Sequence, residues 1–474
     1  MEPLLRWAAE LGVSDSPLPS SPSAAAAPSS SSSPSSCIGR SLVVADFPDA
    51  GGRGLAAARD LRRGELVLRV PRAALLTSDR VMADDPRIAA CIGAHRPHLT
   101  SVQILIVCLL AEVGKGRNSI WYPYLSQLPS YYTILVTFND FEVEALQVGD
   151  AIWVAQKANS SIKSDWEDAT PLMKELEFKP KLLMFKSWLW AFATVSSRTL
   201  HIAWDEAGCL CPVGDLFNYA APDDTSSFEE EDIAEVERLT DGGYEDSNAY
   251  CLYARKKYKK GEQVLLGYGT YTNLELLEHY GFLLSDNPNE KTFIQLDVDI
   301  CSIGTWPIDS LFIHPNGHPS FALLCVLRLW STPTNRRKAV SHQIYSGSML
   351  STENEMEIMK WLISKCKRTL KQLPTTVEYD EGLLIFLHKI QNSTNCRTDV
   401  KQSGFEQDFA VFLRFHRLEL DCSDNSRLPL HILRSLERWE LAVQWRCNYK
   451  KTLKKCISYS ESLAHDLLLQ LNQQ

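Results

Sequence analysis

The sequence predicts an α+β protein: a core of short β-strands interrupted by a helical insertion, followed by an α-helical C-terminal domain. Three observations predict it. Short apolar runs bounded by glycine turns occur between residues 42 and 70 and again between 250 and 266. Between them, from Ser101 to about Arg198, apolar residues recur at helical spacing with proline breaks. From about Pro319 to the end the pattern is helical throughout. The expected organisation is a docking helix over 1–13 and a flexible linker over 14–36. A β-core domain follows over 37–285, with a helical insertion at about 95–205 and an acidic surface insertion at about 223–246. The helical domain covers 305–474.

With 474 residues the chain can build two or three domains with proper cores. A net charge of -9 argues against broad nucleic-acid binding, which needs a basic face. The longest apolar run, Ile104 to Ala111, falls far short of the roughly 18 residues of a membrane span, so it reads as a buried helix. The 13 cysteines are scattered through apolar stretches, as at Cys108, Cys325 and Cys366, which is unlike a disulfide framework. A reducing compartment is expected: cytoplasm or nucleus, with a plastid left open. Cys209 and Cys211 form a CxC, but no second pair follows at zinc-site spacing, and no metal is expected.

At the N-terminus, Leu4, Leu5, Ala8, Leu11 and Val13 give a helical stripe ahead of the Ala24–Ala27 and Ser29–Ser36 tracts. Glu2 and Glu10 speak against a transit peptide. Strands are expected at Leu42–Val44, near Leu55–Ala58 and at Leu66–Val70, which Pro71 ends. Ser101 is expected to cap the apolar helix that follows, and Lys181 to Ser196 forms a long helix carrying Trp188, Trp190 and Phe192. β character returns at Tyr250–Ala254 and Gln263–Leu266. Two segments share a phrase: Ala58-Arg59 before Arg63-Gly64-Glu65, and Ala254-Arg255 before Lys260-Gly261-Glu262. Both read as hairpins with shared turn chemistry, not as a repeat. The acidic stretch from Asp223 to Asp246 reads as a solvated insertion. C-terminal helices are expected at Phe321–Trp330, Glu353–Leu373, Glu381–Gln391, Phe405–His416 and Leu428–Asn472, the last with a basic face of Arg446, Lys450, Lys451, Lys454 and Lys455.

Gly52-Arg53-Gly54-Leu55-Ala56-Ala57 satisfies a dinucleotide-binding pattern, G-x-G-x-x-A. That reading needs a following helix and an acid about 20 residues on. Gly64 breaks the chain too soon and Arg72 stands near the expected acid, so it is set aside.

Three segments instead belong together: Gly52 to Ala56 with its Arg-Gly-Glu turn; Asp215-Leu216-Phe217-Asn218-Tyr219, preceded by Ser196-Ser197-Arg198; and Gly267 to Leu284, which contains Tyr268 and Tyr280-Gly281-Phe282. In this order they resemble a SET-domain protein methyltransferase of the Rubisco large-subunit lysine methyltransferase type, a subclass that also includes the actin-histidine methyltransferase. Trp121-Tyr122-Pro123-Tyr124-Leu125 resembles its helical insertion, and the helical tail resembles its substrate-binding domain. The resemblance implies S-adenosylmethionine as cofactor and a protein substrate; the charge and the short apolar runs argue against a nucleic-acid partner and a membrane. A monomer is expected.

By the same resemblance, Tyr268 is the catalytic tyrosine, placed between Gly267 and Gly269, which allow close backbone approach. Arg198 meets the cofactor carboxylate, a bidentate task suited to guanidinium. Asp215, Asn218 and Tyr219 belong to the cofactor motif; Tyr280 lines the acceptor channel; Gly281 and Phe282 wall the cofactor. Tyr219 departs from the family's histidine. His201 and His279 lack partners at catalytic spacing and read as packing or surface residues. A lysine acceptor has a pKa of about 10.4 and must lose a proton before it attacks. An apolar channel beside a sulfonium lowers that pKa, so no strong general base is required. A histidine acceptor, or a catalytically weak SET protein serving as a binding module, are the alternatives.

Overall fold

The computed structural model describes residues 1–16, 36–48, 52–221, 243–245, 248–267, 269–303, 306–392, 404–418 and 428–472. Tyr268, nearly all of the Asp223–Asp246 stretch and most of the Ser-rich segment lie outside the described residues. The chain divides into two compact units. The first comprises Met1–Thr137, Ala158–Thr270 and His279–Gly281; the second comprises Phe138–Lys157, Tyr271–Glu278 and Phe282–Gln474.

In the first unit, β1 (Leu42–Phe47) pairs antiparallel with β2 (Gly52–Ala57). The G-x-G-x-x-A stretch is therefore a strand and not the mouth of a helix. β3 (Leu66–Pro71) is followed by a hairpin of β4 (Thr199–Ile202) and β5 (Asp205–Leu210). The strands β6 (Asn218–Tyr219), β7 (Gly243–Glu245), β8 (Ala249–Tyr253) and β9 (Leu265–Leu266) complete the set. β3, β8 and β7 form one antiparallel sheet, and β6 runs parallel to β9.

The two segments with the shared phrase pair with each other rather than forming separate hairpins. Leu61 and Tyr258 exchange both backbone hydrogen bonds, at 2.9 and 3.1 Å. Around them, Gly64 N donates to Ala254 O and Ala254 N to Glu65 O; in the mirrored place, Gly261 N donates to Ala57 O and Ala57 N to Glu262 O. Each turn glutamate caps its own turn in the same way, Glu65 taking the N–H of Arg62 and Glu262 that of Lys259. One offset relates all these pairs (57 to 254, 64 to 261), so the phrase marks a local two-fold. A sequence alignment on Ala58 misses it by one residue.

The helix Ser101–Lys115 is capped by Thr100 and not by Ser101. Thr100 Oγ1 accepts the N–H of Gln103, and Gln103 Oε1 accepts the N–H of Thr100. This capping box satisfies two donors at once, which Ser101 cannot do because no Glu or Gln stands at the matching place. The helix expected at Lys181–Ser196 runs instead over Phe185–Arg198, because Met184 is extended at its N-terminus and residues 180–183 form turns. Leu4 and Ala8 of the helix Glu2–Glu10 are buried in the core of this unit. Ser14 and Asp15, which composition assigns to a linker, are built into the fold. Ser14 exchanges two hydrogen bonds with Arg69, and one Asp15 carboxylate oxygen accepts the N–H groups of Gly39, Arg40, Ser41 and Leu42 at 2.7–3.0 Å.

In the second unit the helices Phe321–Trp330, Thr352–Gln372, Val377–Gln391, Glu406–Phe415 and Leu430–Asn472 stand where periodicity places them. Ser320, Ser351 and Thr376 accept hydrogen bonds from the first turns that follow them. Arg337–Tyr345 is a further helix that the sequence did not announce. Leu323, Val326, Ile358, Met359, Leu362 and Leu453 share one core. The buried Arg328 grips Glu355 with two bonds of 2.8 and 2.9 Å.

The expected basic face of the last helix is not a free surface. Arg446 and Lys450 are buried and both bind Asp380, itself buried. Lys451 pairs with Glu381, Lys454 with Glu378, and Lys455 donates to the Pro315 carbonyl. The acids come from the start of the helix Val377–Gln391, so one helix neutralises the other. Among the described residues no helix is long and apolar enough to cross a membrane.

Candidate active site

Arg198 ends the helix Phe185–Arg198, and Asp215 sits on a 3-10 turn, Gly214–Leu216, just ahead of β6. This brings the two side chains together: Arg198 Nη1 donates to Asp215 Oδ2 at 2.9 Å and to its backbone carbonyl at 3.2 Å. The pair is sheltered, the Arg198 side chain 20% and the Asp215 side chain 3% exposed. Tyr124 donates its hydroxyl to the same Asp215 oxygen at 2.9 Å. Burial opposes the Arg198 charge, but Asp215, with Tyr132 and Tyr124 beside it, raises its pKa above the ordinary arginine value. Burial and the Asp215 charge hold Tyr124 well above a usual phenol, so it stays a hydrogen-bond donor.

Arg198 keeps capacity beyond Asp215. Its two bonds to Asp215 both use Nη1, and among the described residues its buried Nε has no hydrogen-bond partner. An unmet N–H on a sheltered guanidinium is a donor suited to a carboxylate. By its donor chemistry this place fits the carboxylate of an amino-acid-like cofactor.

The other motif residues, Phe282 apart, lie in the first unit. Asn218 opens β6, with Leu265 opposite it in β9. A side chain on Gly54 of β2 would come within 2.7 Å of Asn218 Nδ2 and 3.0 Å of Gln263 Nε2, so a larger residue there would displace the amide ends of both side chains. Tyr219 is buried and donates its hydroxyl to the Gly269 carbonyl at 2.9 Å. Gly281 has φ +80, and a Cβ there would lie 2.8 Å from the backbone of Thr133 and Ile134; Thr133 Oγ1 donates to its carbonyl at 2.7 Å. The neighbouring Tyr132 meets Thr194 at 3.0 Å, one turn before Arg198 on the same helix. Ser196 Oγ donates to the His279 carbonyl at 3.2 Å, which leads into Tyr280 and Gly281.

The structure thus gathers Arg198, Asp215, Asn218, Tyr219 and Gly281 in one unit. Tyr280 is half-buried there, with its ring 6.4 Å from that of His279. Phe282, also half-buried, belongs to the second unit. Sequence reasoning missed Tyr132, Thr133, Thr194 and Gln263. None carries a pattern of its own, and each matters only through a partner distant in the chain. Tyr124 was visible within the aromatic-proline segment, though not its bond to Asp215.

Cys209 and Cys211 are buried thiols; burial, then Cys209 and Asp215, holds the Cys211 thiol well above its usual pKa. Among the described residues no group of three or more His, Cys, Asp or Glu is placed to hold a metal ion.

Comparison with known proteins gives the chain's kinship. Residues 274–453 match the family described as Rubisco LSMT substrate-binding. The chain is 49% identical to Protein SET DOMAIN GROUP 40 of Arabidopsis thaliana, over 99% of this chain and 97% of that one. It is 25% identical to the human actin-histidine N-methyltransferase, over 87% of this chain and 76% of that one. Among solved structures, Rubisco LSMT bound to sinefungin and monomethyllysine superposes with a TM-score of 0.57 at 19% identity, covering 98% of this chain and 93% of that one. Rubisco LSMT bound to AdoMet gives a TM-score of 0.53 at 20% identity, covering 90% and 88%. That likeness gives the fold; identity of one half over almost the whole of both chains gives the kinship, and the chain belongs to the SET-domain family.

Proposed function

We infer that this chain is an S-adenosylmethionine-dependent protein methyltransferase whose acceptor is a lysine side chain. The observation that carries the reading is the meeting of Arg198, with its unspent buried Nε, and the Asp215–Tyr219 motif in one SET-type unit. A domain matching a substrate-binding family fits action on a protein.

S-adenosylmethionine, when bound, supplies a methyl group already activated on a sulfonium. Arg198 would hold its carboxylate, while Asp215 keeps the guanidinium oriented. Asn218 and the backbone of Tyr219 would lie along its adenine end, and Gly281 and Phe282 would wall it. Tyr268 would orient the acceptor nitrogen through its hydroxyl, and Tyr280 would line the channel. A lysine entering an apolar channel sheds its proton to water more readily than in solution, because burial disfavours the ammonium. The remaining task is alignment.

Support for lysine comes from the solved relative described with monomethyllysine; a histidine acceptor is the second reading, favoured by the relatives described as actin-histidine N-methyltransferase. Mass spectrometry of cell-extract proteins, after incubation with the chain and isotopically labelled cofactor, distinguishes them. Labelled methyl-lysine is expected. Label on histidine would replace the acceptor, and the absence of calorimetric binding at millimolar S-adenosylmethionine would overturn the enzyme reading. Tyr268→Phe is expected to lower the rate roughly 100-fold, since about 1 Å of misplacement costs that much, with cofactor affinity kept.

A further inference from the structure

We propose that Tyr219 is a positioning residue: its hydroxyl holds the segment that carries Tyr268, a task its side chain performs in addition to any part the backbone plays at the cofactor. The proposal rests on the reading of Tyr268 as catalytic. Residues 265–269 are tied to one short strand at two points. On the near side β9 pairs with β6, Tyr219 standing opposite Leu266, and Ala220 N donates to the Leu266 carbonyl at 2.9 Å. On the far side the Tyr219 hydroxyl donates to the Gly269 carbonyl at 2.9 Å. In sequence, Tyr268 falls between these two ties.

The second tie has something to restrain. Gly269 has φ +124, a conformation open to glycine and costly for other residues, and Gly267 stands on the other side of Tyr268. In sequence two glycines flank this tyrosine, and β9, as a ladder of two residues, ends before it reaches them. A tyrosine ring spans the distance from β6 to Gly269 and ends in a donor. Tyr219 is 8% exposed and the bond is partly buried, which limits competition from water. The residue that departs from the family pattern at position 219 is the one that makes this reach.

The test is a double-mutant cycle of Tyr219→Phe and Tyr268→Phe. Initial rates of methyl transfer from tritiated S-adenosylmethionine to proteins of a soluble cell extract are measured together with S-adenosylhomocysteine affinity by calorimetry. Tyr219→Phe should lower the rate roughly 10- to 100-fold and leave the affinity within about twofold. On the Tyr268→Phe background the same change should cost almost nothing, because the residue acts only through its neighbour. Equal losses on both backgrounds, an unchanged rate, or a loss of affinity in place of rate would overturn the proposal. Wild-type rate in Tyr268→Phe alone would overturn the catalytic reading instead. Hydrogen exchange of the peptide spanning 265–272 gives a readout that needs no substrate: faster exchange in Tyr219→Phe is expected, and unchanged exchange would refute the tie.

Discussion

Arg198 donates from a single nitrogen to both the carboxylate and the backbone carbonyl of Asp215. The arrangement joins the end of a helix to the turn before β6 and, among the described residues, leaves the guanidinium Nε without a hydrogen-bond partner. Removing the acid should therefore be felt first as lost stability. Asp215→Ala leaves a sheltered cation unpaired, which typically costs about 3–5 kcal/mol. A cofactor carboxylate would restore part of the lost pairing. Urea unfolding with and without S-adenosylhomocysteine checks this: the ligand carboxylate should meet the orphaned cation, so the variant should bind the ligand more tightly than the wild type and gain more stability at one fixed ligand concentration. An Asp215→Ala protein as stable as the wild type would show that the pair is not holding the turn.

Two glycines in the first unit should respond differently to alanine. Gly261 has φ +87 but open space around its missing side chain. Gly261→Ala should cost about 1–2 kcal/mol from left-handed strain alone. Gly281 has φ +80 and backbone atoms 2.8 Å from where a Cβ would sit. Gly281→Ala should add about 1–3 kcal/mol of overpacking and weaken S-adenosylhomocysteine binding. Equal shifts in the urea midpoints would remove the argument that the Thr133–Ile134 backbone presses on Gly281.

In the second unit, Asp380 binds both Arg446 and Lys450. Asp380→Asn should destabilise by about 3–5 kcal/mol, since it strands two buried cations. Lys450→Met should cost less than Asp380→Asn, because Arg446 remains to pair the buried carboxylate. Lys451→Ala and Lys454→Ala, each removing a half-exposed ion pair, should each change stability by less than about 1 kcal/mol. Thermal unfolding of the four variants orders them; a large loss at Lys454 and none at Asp380 would reverse the picture.

Glu290 supplies a pH dependence. Burial, opposed by the N–H groups of Asn273 and Lys291 and reinforced by Glu275, pushes its pKa up to about 7. A carboxyl raised above its unfolded value binds its proton more tightly in the folded chain. Its contribution is therefore favourable at low pH and is lost as pH climbs from about 4.5 through about 7. Glu290→Gln should flatten the stability profile across that window and raise stability above pH 7 relative to the wild type. A profile identical to the wild type between pH 5 and 7 would assign the dependence to other groups.

What could be read from the chain followed the range of the interactions. The strands at 42–47, 66–71 and 249–253 and the helices at Phe321–Trp330 and Thr352–Gln372 express local periodicity, and they stand where it placed them. Thr100 and Ser101 are adjacent candidate caps, and the choice depended on Gln103, three residues from one and two from the other. The basic face of the last helix misled because Glu378, Asp380 and Glu381 come from another helix, and no helical wheel shows a neighbour's charges. Arg198 and Asp215 were assigned to the site by resemblance, and their bond to each other was not foreseen. Tyr132 and Thr133 carried no signal, since their roles exist only against Thr194 and Gly281.

The exchange of hydrogen bonds between Leu61 and Tyr258 has a consequence for how the chain is born. A ribosome adding about 5–20 residues per second needs on the order of 10–40 s after Leu61 emerges before Tyr258 follows. Through that interval the turn at Leu61 to Glu65 has no partner strand, while the helices between have time to form. The β core should therefore close late, in one long-range event. A nascent chain arrested just short of Tyr258 is expected to be protease-sensitive around Ala57 to Glu65, and one arrested well beyond it to be protected.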